Sequence, residues 1–164
     1  MIKEIRHASA ADTDAILELL SEVLEVHHAA RPDIFKGGAT KYTRRELSVL
    51  LADEARPVFV ATGEDGGILG YVFCIHVCHE DDNILTPIKT LYIDDLCVAE
   101  RSRGEGVGRA LYDYAVAYAR SEGFYNLTLN VWADNAGAVA FYERLGLRPQ
   151  KIGMELILKD EKNG

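Results

Sequence analysis

The β-type run Tyr92-Ile93-Asp94-Asp95-Leu96-Cys97-Val98 leads straight into Arg101-Ser102-Arg103-Gly104-Glu105-Gly106-Val107-Gly108-Arg109, and an amphipathic helix follows at once. A strand, a glycine turn and a helix in that order leave little freedom. The glycines let the backbone turn sharply and come close to a ligand without Cβ obstruction. The helix then presents its first unpaired N–H groups and the positive end of its dipole, which together favour an anion such as phosphate. Arg101, Arg103 and Arg109 add positive charge. Two common phosphate loops are excluded. No Gly-Lys-Ser/Thr follows the turn, and the third glycine of a dinucleotide fingerprint would fall on Arg109.

The remaining elements follow from periodicity. Ile2 to Arg6 reads as a short strand. Ser9 with Asp12 has the spacing of a capping box, and Ile16, Leu19, Leu20, Val23 and Leu24 then lie along one helical face until Pro32 bars continuation. A second helix is predicted over 41–52. A hairpin follows, with Pro57 to Thr62 and Ile68 to Cys78 as strands and Gly63 to Gly67 as the turn. The glycine turn separates a strand over 89–98 from a helix with Val107, Leu111, Tyr114, Ala115 and Tyr118 inward, which Gly123 stops. Tyr125 to Trp132 alternates as a strand, Asn135 starts a short helix ending near Gly146, and alternation at Ile152, Met154, Leu156 and Leu158 predicts a last strand. The order is β-α-α-β-β-β-α-β-α-β, a mixed α/β layered domain. The 164 residues suit a single domain over 1–164, and no linker-like stretch marks an internal boundary.

Composition narrows the function. A net charge of −8 argues against a nucleic-acid partner bound through phosphates and suits a cationic substrate. The longest apolar run, Ile68 to Cys78, contains His76 and is too short to span a bilayer, so no membrane partner is expected. Met1-Ile2-Lys3-Glu4 lacks the apolar core of a signal peptide. Cys74, Cys78 and Cys97 are odd in number, so reduced thiols and a cytoplasmic location are expected. They share no metal-ligand spacing, and no metal is expected.

A second segment, Asn135-Ala136-Gly137-Ala138-Val139-Ala140-Phe141-Tyr142-Glu143-Arg144-Leu145-Gly146-Leu147, lies one strand after the glycine turn. With it the chain resembles the GNAT superfamily of acyl-CoA-dependent N-acyltransferases. The family's Arg/Gln-x-x-Gly-x-Gly/Ala signature is matched by Arg103, Gly106 and Gly108, preceded by Leu96-Cys97-Val98. Its later element is matched by Asn135, Ala138, Phe141, Tyr142 and Gly146, with Leu147 where phenylalanine is usual. Ile5, Arg6, Ala8 and Asp12 match the family's opening.

The resemblance implies a fold: a central, mostly antiparallel twisted sheet with helices on both faces and a splayed central strand pair, the splay arising from a β-bulge. It also implies roles. The backbone of Arg103, Gly104, Glu105, Gly106, Val107, Gly108 and Arg109 would hold the CoA pyrophosphate. Leu96, Cys97 and Val98 would hydrogen-bond the pantetheine arm like an added strand. Asn135 and Ala138 would border the CoA arm, and Tyr142 would protonate the departing thiolate. Acetyl-CoA is the implied cosubstrate, and family habit suggests a homodimer.

The acceptor must attack as a neutral amine. An alkyl amine with a pKa of about 10.4 is neutral only about once in 10³ molecules at pH 7, so a base is useful. Asp94 and Asp95 resemble the acidic pair of polyamine acetyltransferases in this superfamily; strand alternation lets at most one of them face a cleft. Asp94 is named first, Asp95 second. Cys97 is a weaker candidate as acyl carrier, because no base is identifiable beside it and strand cysteines are commonly buried. His27 and His28 lie where the family's first helices border the acceptor pocket. The reading is N-acetyl transfer to a primary amine of a small molecule, polyamine-like on the acidic pair, by direct attack in a ternary complex. A peptide N-terminus or lysine is the alternative acceptor. A non-catalytic acyl-CoA-binding module is the reading from another class.

Overall fold

A computed structural model describes residues 1–159. Its contacts divide the chain into two units, Met1–Asn130 and Val131–Gly164.

The first unit is a five-stranded sheet in the order β1-β2-β3-β4-β5. The strands are β1 (Ile2–His7), β2 (Val58–Gly63), β3 (Ile68–Val77), β4 (Thr90–Val98) and β5 (Asn126–Leu129). The first three pairings are antiparallel, while β4 and β5 run parallel. That parallel step requires a crossover, supplied by helix α3 (Val107–Ser121).

Helices α1 (Thr13–Ala30) and α2 (Arg44–Leu51) form one layer of the core. Ile16, Leu19, Leu20, Leu47 and Leu50 pack there with Val58, Val60, Tyr71, Phe73 and Cys97 from the sheet. A second cluster brings Val107, Leu111, Ala115 and Ala119 of α3 together with Phe59, Val72, Cys74, Leu91 and Ile93. Adjacent strand residues fall into opposite clusters, Val58 and Val60 in one and Phe59 and Ala61 in the other, which is the period-2 signature of a sheet covered on both faces. Ile16 and Leu111 are fully buried, and each such side chain contributes about 1.5–3 kcal/mol. Every buried side-chain N or O among the described residues has a hydrogen-bond partner.

The caps at Ser9 and Gly123 behave as the sequence predicts. Asp12 accepts from the Ser9 N–H at 2.7 Å, closing a capping box around a 3₁₀ turn that runs into α1. Thr43 and Glu46 form the same device at α2, which starts at Arg44 rather than at Lys41. Gly123 takes φ +74 just beyond the C-cap of α3. At β3, Gly70 allows a close approach: a Cβ there would lie 2.6 Å from the Cys97 carbonyl oxygen, with Leu111 and Val107 of α3 next nearest.

The second unit contains one helix, α4 (Ala136–Arg144). Asn135 caps its start by accepting from the Ala138 N–H at 3.1 Å. Gly146, at φ +94, ends it in a Schellman motif, with the Gly146 N–H bonded to the Glu143 carbonyl and the Leu147 N–H to that of Tyr142. The strand predicted from Ile152, Met154, Leu156 and Leu158 is not found. Residues 151–158 carry no ladder among the described residues, and these four side chains are 78–88% exposed. Alternation names the faces a strand would present, but a strand exists only where a neighbour satisfies its backbone. No helix among the described residues is long and apolar enough to cross a membrane.

Candidate active site

Three features converge where β4 leaves β5. The β4–β5 ladder pairs Thr90 with Asn126 and ends with Ile93 opposite Leu129. From Asp94 to Val98, β4 has a ladder partner only on its β3 side among the described residues. Leu96, Cys97 and Val98 therefore present one backbone edge available for an added strand. This is the splay that the family resemblance implies.

The register of β4 shifts at the same place. Phe73 pairs with Asp95 and Cys74 with Ile93, so Asp94 is an extra residue opposite nothing on β3. Such a bulge breaks the alternation of side chains. Asp94 and Asp95 thus escape the one-in, one-out rule expected for adjacent strand residues. Both carboxylates lie within the field of Lys41, on the α1–α2 side of the sheet. Strand alternation predicts opposite faces for the two residues, and the bulge is the reason they share one side.

The two carboxylates differ in environment. Asp94 Oδ2 accepts a 2.8 Å hydrogen bond from Lys41 Nζ, and both side chains are partly exposed. Burial draws the Lys41 pKa down, but the hydrogen bond and charge of Asp94 outweigh it and hold the ammonium above its ordinary value. Asp95 accepts instead from the Tyr71 hydroxyl at 2.8 Å. Burial raises the Asp95 carboxyl above its usual range, against the opposing effects of the Tyr71 hydrogen bond and Lys41. His27, near the end of α1, adds a further small effect at Asp95. His28 is occupied otherwise, its Nδ1 lying 2.7 Å from the Phe35 carbonyl.

Sequence reasoning missed Tyr71 and Lys41. Each meets its aspartate across a long chain separation, and no local pattern signals such a pair. Tyr71 stands in the β3 run with hydrophobic neighbours, where it reads as core.

Cys97 shares this stretch, but its thiol is pushed up to about 12, chiefly by burial and then by the Asp95 charge. A thiol so rarely ionised is a poor acyl carrier. Among the described residues no group of His, Cys, Asp or Glu is arranged to hold a metal.

The glycine turn follows β4. Gly104 and Gly106 sit at φ +78 and +81, a region that favours glycine. Gly106 is the N-cap of α3 and offers no side-chain cap, and the first turn carries no acidic residue. The first helical hydrogen bond runs from the Ala110 N–H to the Gly106 carbonyl, so the N–H groups of Val107, Gly108 and Arg109 precede the ladder. Glu105 lies exposed between the two positive-φ glycines. Arg103 reaches back, its Nε 3.5 Å from the Val98 carbonyl. The geometry fits a phosphate at the turn and an extended arm along Val98 to Leu96.

Asn135, Ala138 and Tyr142 belong to the second unit. Asn135 and Ala138 are joined by the α4 cap. Tyr142 is half-buried, with the Phe141 ring 5.1 Å away edge-on.

Comparison with known proteins identifies the family. Residues 18–147 match the acetyltransferase (GNAT) family. A mutant protein from Bacillus halodurans superposes with a TM-score of 0.90 at 32% identity, covering 95% of this chain and 99% of that one. Streptothricin acetyltransferase of Streptomyces lavendulae is 35% identical over 88 residues, 54% of this chain and 42% of the relative. An uncharacterized N-acetyltransferase of Methanocaldococcus jannaschii is 28% identical over 148 residues, 90% of this chain and 62% of the relative. The chain thus spans less than two thirds of either relative's length. A family match over this much of the sequence, on a sheet that splits beside a glycine turn, leads to one conclusion: the chain belongs to the acetyltransferase (GNAT) family.

Proposed function

We propose that the protein transfers an acetyl group from acetyl-CoA to a primary amine of a small molecule, by direct attack in a ternary complex. One observation carries the reading: β4 loses its β5 partner at Asp94, beside two carboxylates of unlike environment, and runs on into an uncapped helix N-terminus.

Acetyl-CoA supplies an activated acyl carbon and a thiolate leaving group. The N–H groups from Gly104 to Arg109 bind its pyrophosphate, with Arg103 adding charge. The free edge of Leu96, Cys97 and Val98 pairs with the pantetheine arm and aims the thioester toward Asp94 and Asp95. Asn135 and Ala138 border that arm.

Asp95 takes the proton from the acceptor's ammonium. A carboxylate raised by burial is a better base near neutral pH than an ordinary one. Asp94 is committed to Lys41 and serves the local charge balance. The amine nitrogen then bonds to the acyl carbon and gives its second proton to water, the carbon–sulfur bond breaks, and Tyr142 gives its hydroxyl proton to the leaving sulfur and is reprotonated from water. A CoA thiol with a pKa of about 8.5 leaves tolerably well without help, so Tyr142 accelerates the step rather than enabling it.

Thiol release from acetyl-CoA across a panel of small amines tests the proposal, with calorimetry measuring CoA binding separately. Amine-dependent release with matching N-acetyl product is expected. Tight CoA binding with no release for any small amine, peptide N-terminus or lysine would reduce the chain to an acyl-CoA-binding module.

A further inference from the structure

The Lys41 ammonium, 2.8 Å from Asp94 Oδ2, is built into the site from several directions. It comes two residues before Thr43, whose capping box with Glu46 fixes the start of α2. It lies 5.6 Å from the centre of the Tyr42 ring, within cation–π range. That ring stacks on Phe73 at 6.1 Å, and Phe73 pairs with Asp95 across the β3–β4 ladder. The Lys41 and Asp94 side chains are 37% and 24% exposed, so solvent screens the pair only in part.

The charge balance of this corner follows. Asp94 and Asp95 are neighbours in the chain, with Cα atoms about 3.8 Å apart. The bulge sets both carboxylates within the field of Lys41. Lys41 gives its hydrogen bond to Asp94, whereas Asp95 accepts from the neutral Tyr71 hydroxyl. One carboxylate is thus balanced by the chain's own ammonium, and the other is left for an incoming cation.

An acceptor with one ammonium completes this balance at Asp95. A short diamine brings a second ammonium toward Asp94, where Lys41 already sits, and the two like charges repel. To seat it, the diamine must displace Lys41 from both Asp94 and the Tyr42 ring. Resting on the acetyltransferase reading above, we propose that Lys41 determines specificity: by occupying Asp94 it selects acceptors with a single positive charge near the reacting amine and rejects short diamines. On this proposal the acidic pair does not act as a pair toward the acceptor, unlike the polyamine-like expectation from sequence.

The test uses the full chain, acetyl-CoA, and a diamine and an amino alcohol of matched carbon chain, at each of several short lengths. The readout is the ratio of kcat/KM for the diamine to that for the amino alcohol, measured by thiol release. Both amines use Asp95, so the ratio cancels any change in the base itself. The wild-type chain is expected to favour the amino alcohol. Lys41→Gln frees Asp94 and should raise the ratio about fivefold, the upper end for a partly exposed ion pair. Lys41→Arg keeps the charge and should keep the ratio low. Adding Asp94→Asn to Lys41→Gln should take the gain away, because the second ammonium then has no carboxylate. A wild-type preference for the diamine, a ratio that Lys41→Gln leaves unmoved, or a gain that survives Asp94→Asn overturns this inference and leaves the acetyltransferase reading intact. Absence of thiol release with every amine, despite CoA binding, overturns both.

Discussion

The Tyr71 hydroxyl donates a 2.8 Å hydrogen bond to Asp95 Oδ2, joining the interior of β3 to the point where β4 leaves its neighbour. Tyr71 is fully buried, and burial drives its own pKa far above the ordinary phenol value, so it stays a donor throughout the working pH range. The bond favours the ionised carboxylate and limits the rise that burial imposes on Asp95.

Tyr71→Phe removes that bond and keeps the ring. Asp95 should then titrate at higher pH still. A base must be deprotonated to act, so the acid limb of kcat/KM against pH should move upward. A hydrogen bond to a charged group is worth about 1.5 kcal/mol or more, which corresponds to a shift of about one pH unit. An unmoved acid limb would show that Asp95 is not the group being titrated.

Gly106→Val should weaken CoA binding. A Cβ at this position meets no atom within 4 Å, so the substitution does not clash in the free protein. The cost arises because φ +81 is strained for a β-branched residue, by about 1–2 kcal/mol, and because the side chain would cover the N–H groups of the turn. Calorimetry with CoA on the folded variant should show at least a tenfold weaker Kd. Unchanged affinity would remove the phosphate site from this turn.

Much of this architecture is legible in the sequence. The strand–glycine–helix unit, the hairpin and the capping boxes are local, and each residue type there has one conformational reason to be present. The site's electrostatics are not legible. Lys41 meets Asp94, and Tyr71 meets Asp95, only after α2 and β3 have packed beside β4. The resemblance leads one to expect a bulge, but its register, with Asp94 as the extra residue, depends on how β3 pairs. The predicted strand over 152–158 failed for the converse reason, because a local pattern cannot supply a ladder partner.

Tyr142→Phe should preserve CoA affinity and lower kcat, because the hydroxyl is assigned to the leaving sulfur and not to holding the cosubstrate. A loss of about tenfold or more is expected if proton donation matters, within the range for a positioned acid. Full turnover with the best acceptor would reduce Tyr142 to a packing residue.

Arg6 and Asp12 form a bidentate pair at 2.8 and 3.0 Å, and Asp12 is almost fully buried while also capping the turn before α1. The Arg6 hydrogen bond holds the Asp12 carboxyl below its usual range despite burial. The stabilisation is therefore fully present above the unfolded value of about 3.9 and fades as pH falls through the lower folded value. Asp12→Ala should cost about 2 kcal/mol at neutral pH, and the gap from the parent should close in strong acid. Urea denaturation at several pH values would show this, whereas a gap independent of pH would contradict it.

The most direct test compares thiol release by the wild-type chain and by Asp95→Asn, at saturating acetyl-CoA with an acceptor amine. Asparagine keeps the shape and the Tyr71 contact but cannot take a proton. The account predicts a rate lowered by about 10²-fold or more, with CoA affinity unchanged and partial recovery at high pH, where more amine is already neutral. An Asp95→Asn variant that turns over at the wild-type rate across the pH range would contradict the claim that the split in β4 is the catalytic centre.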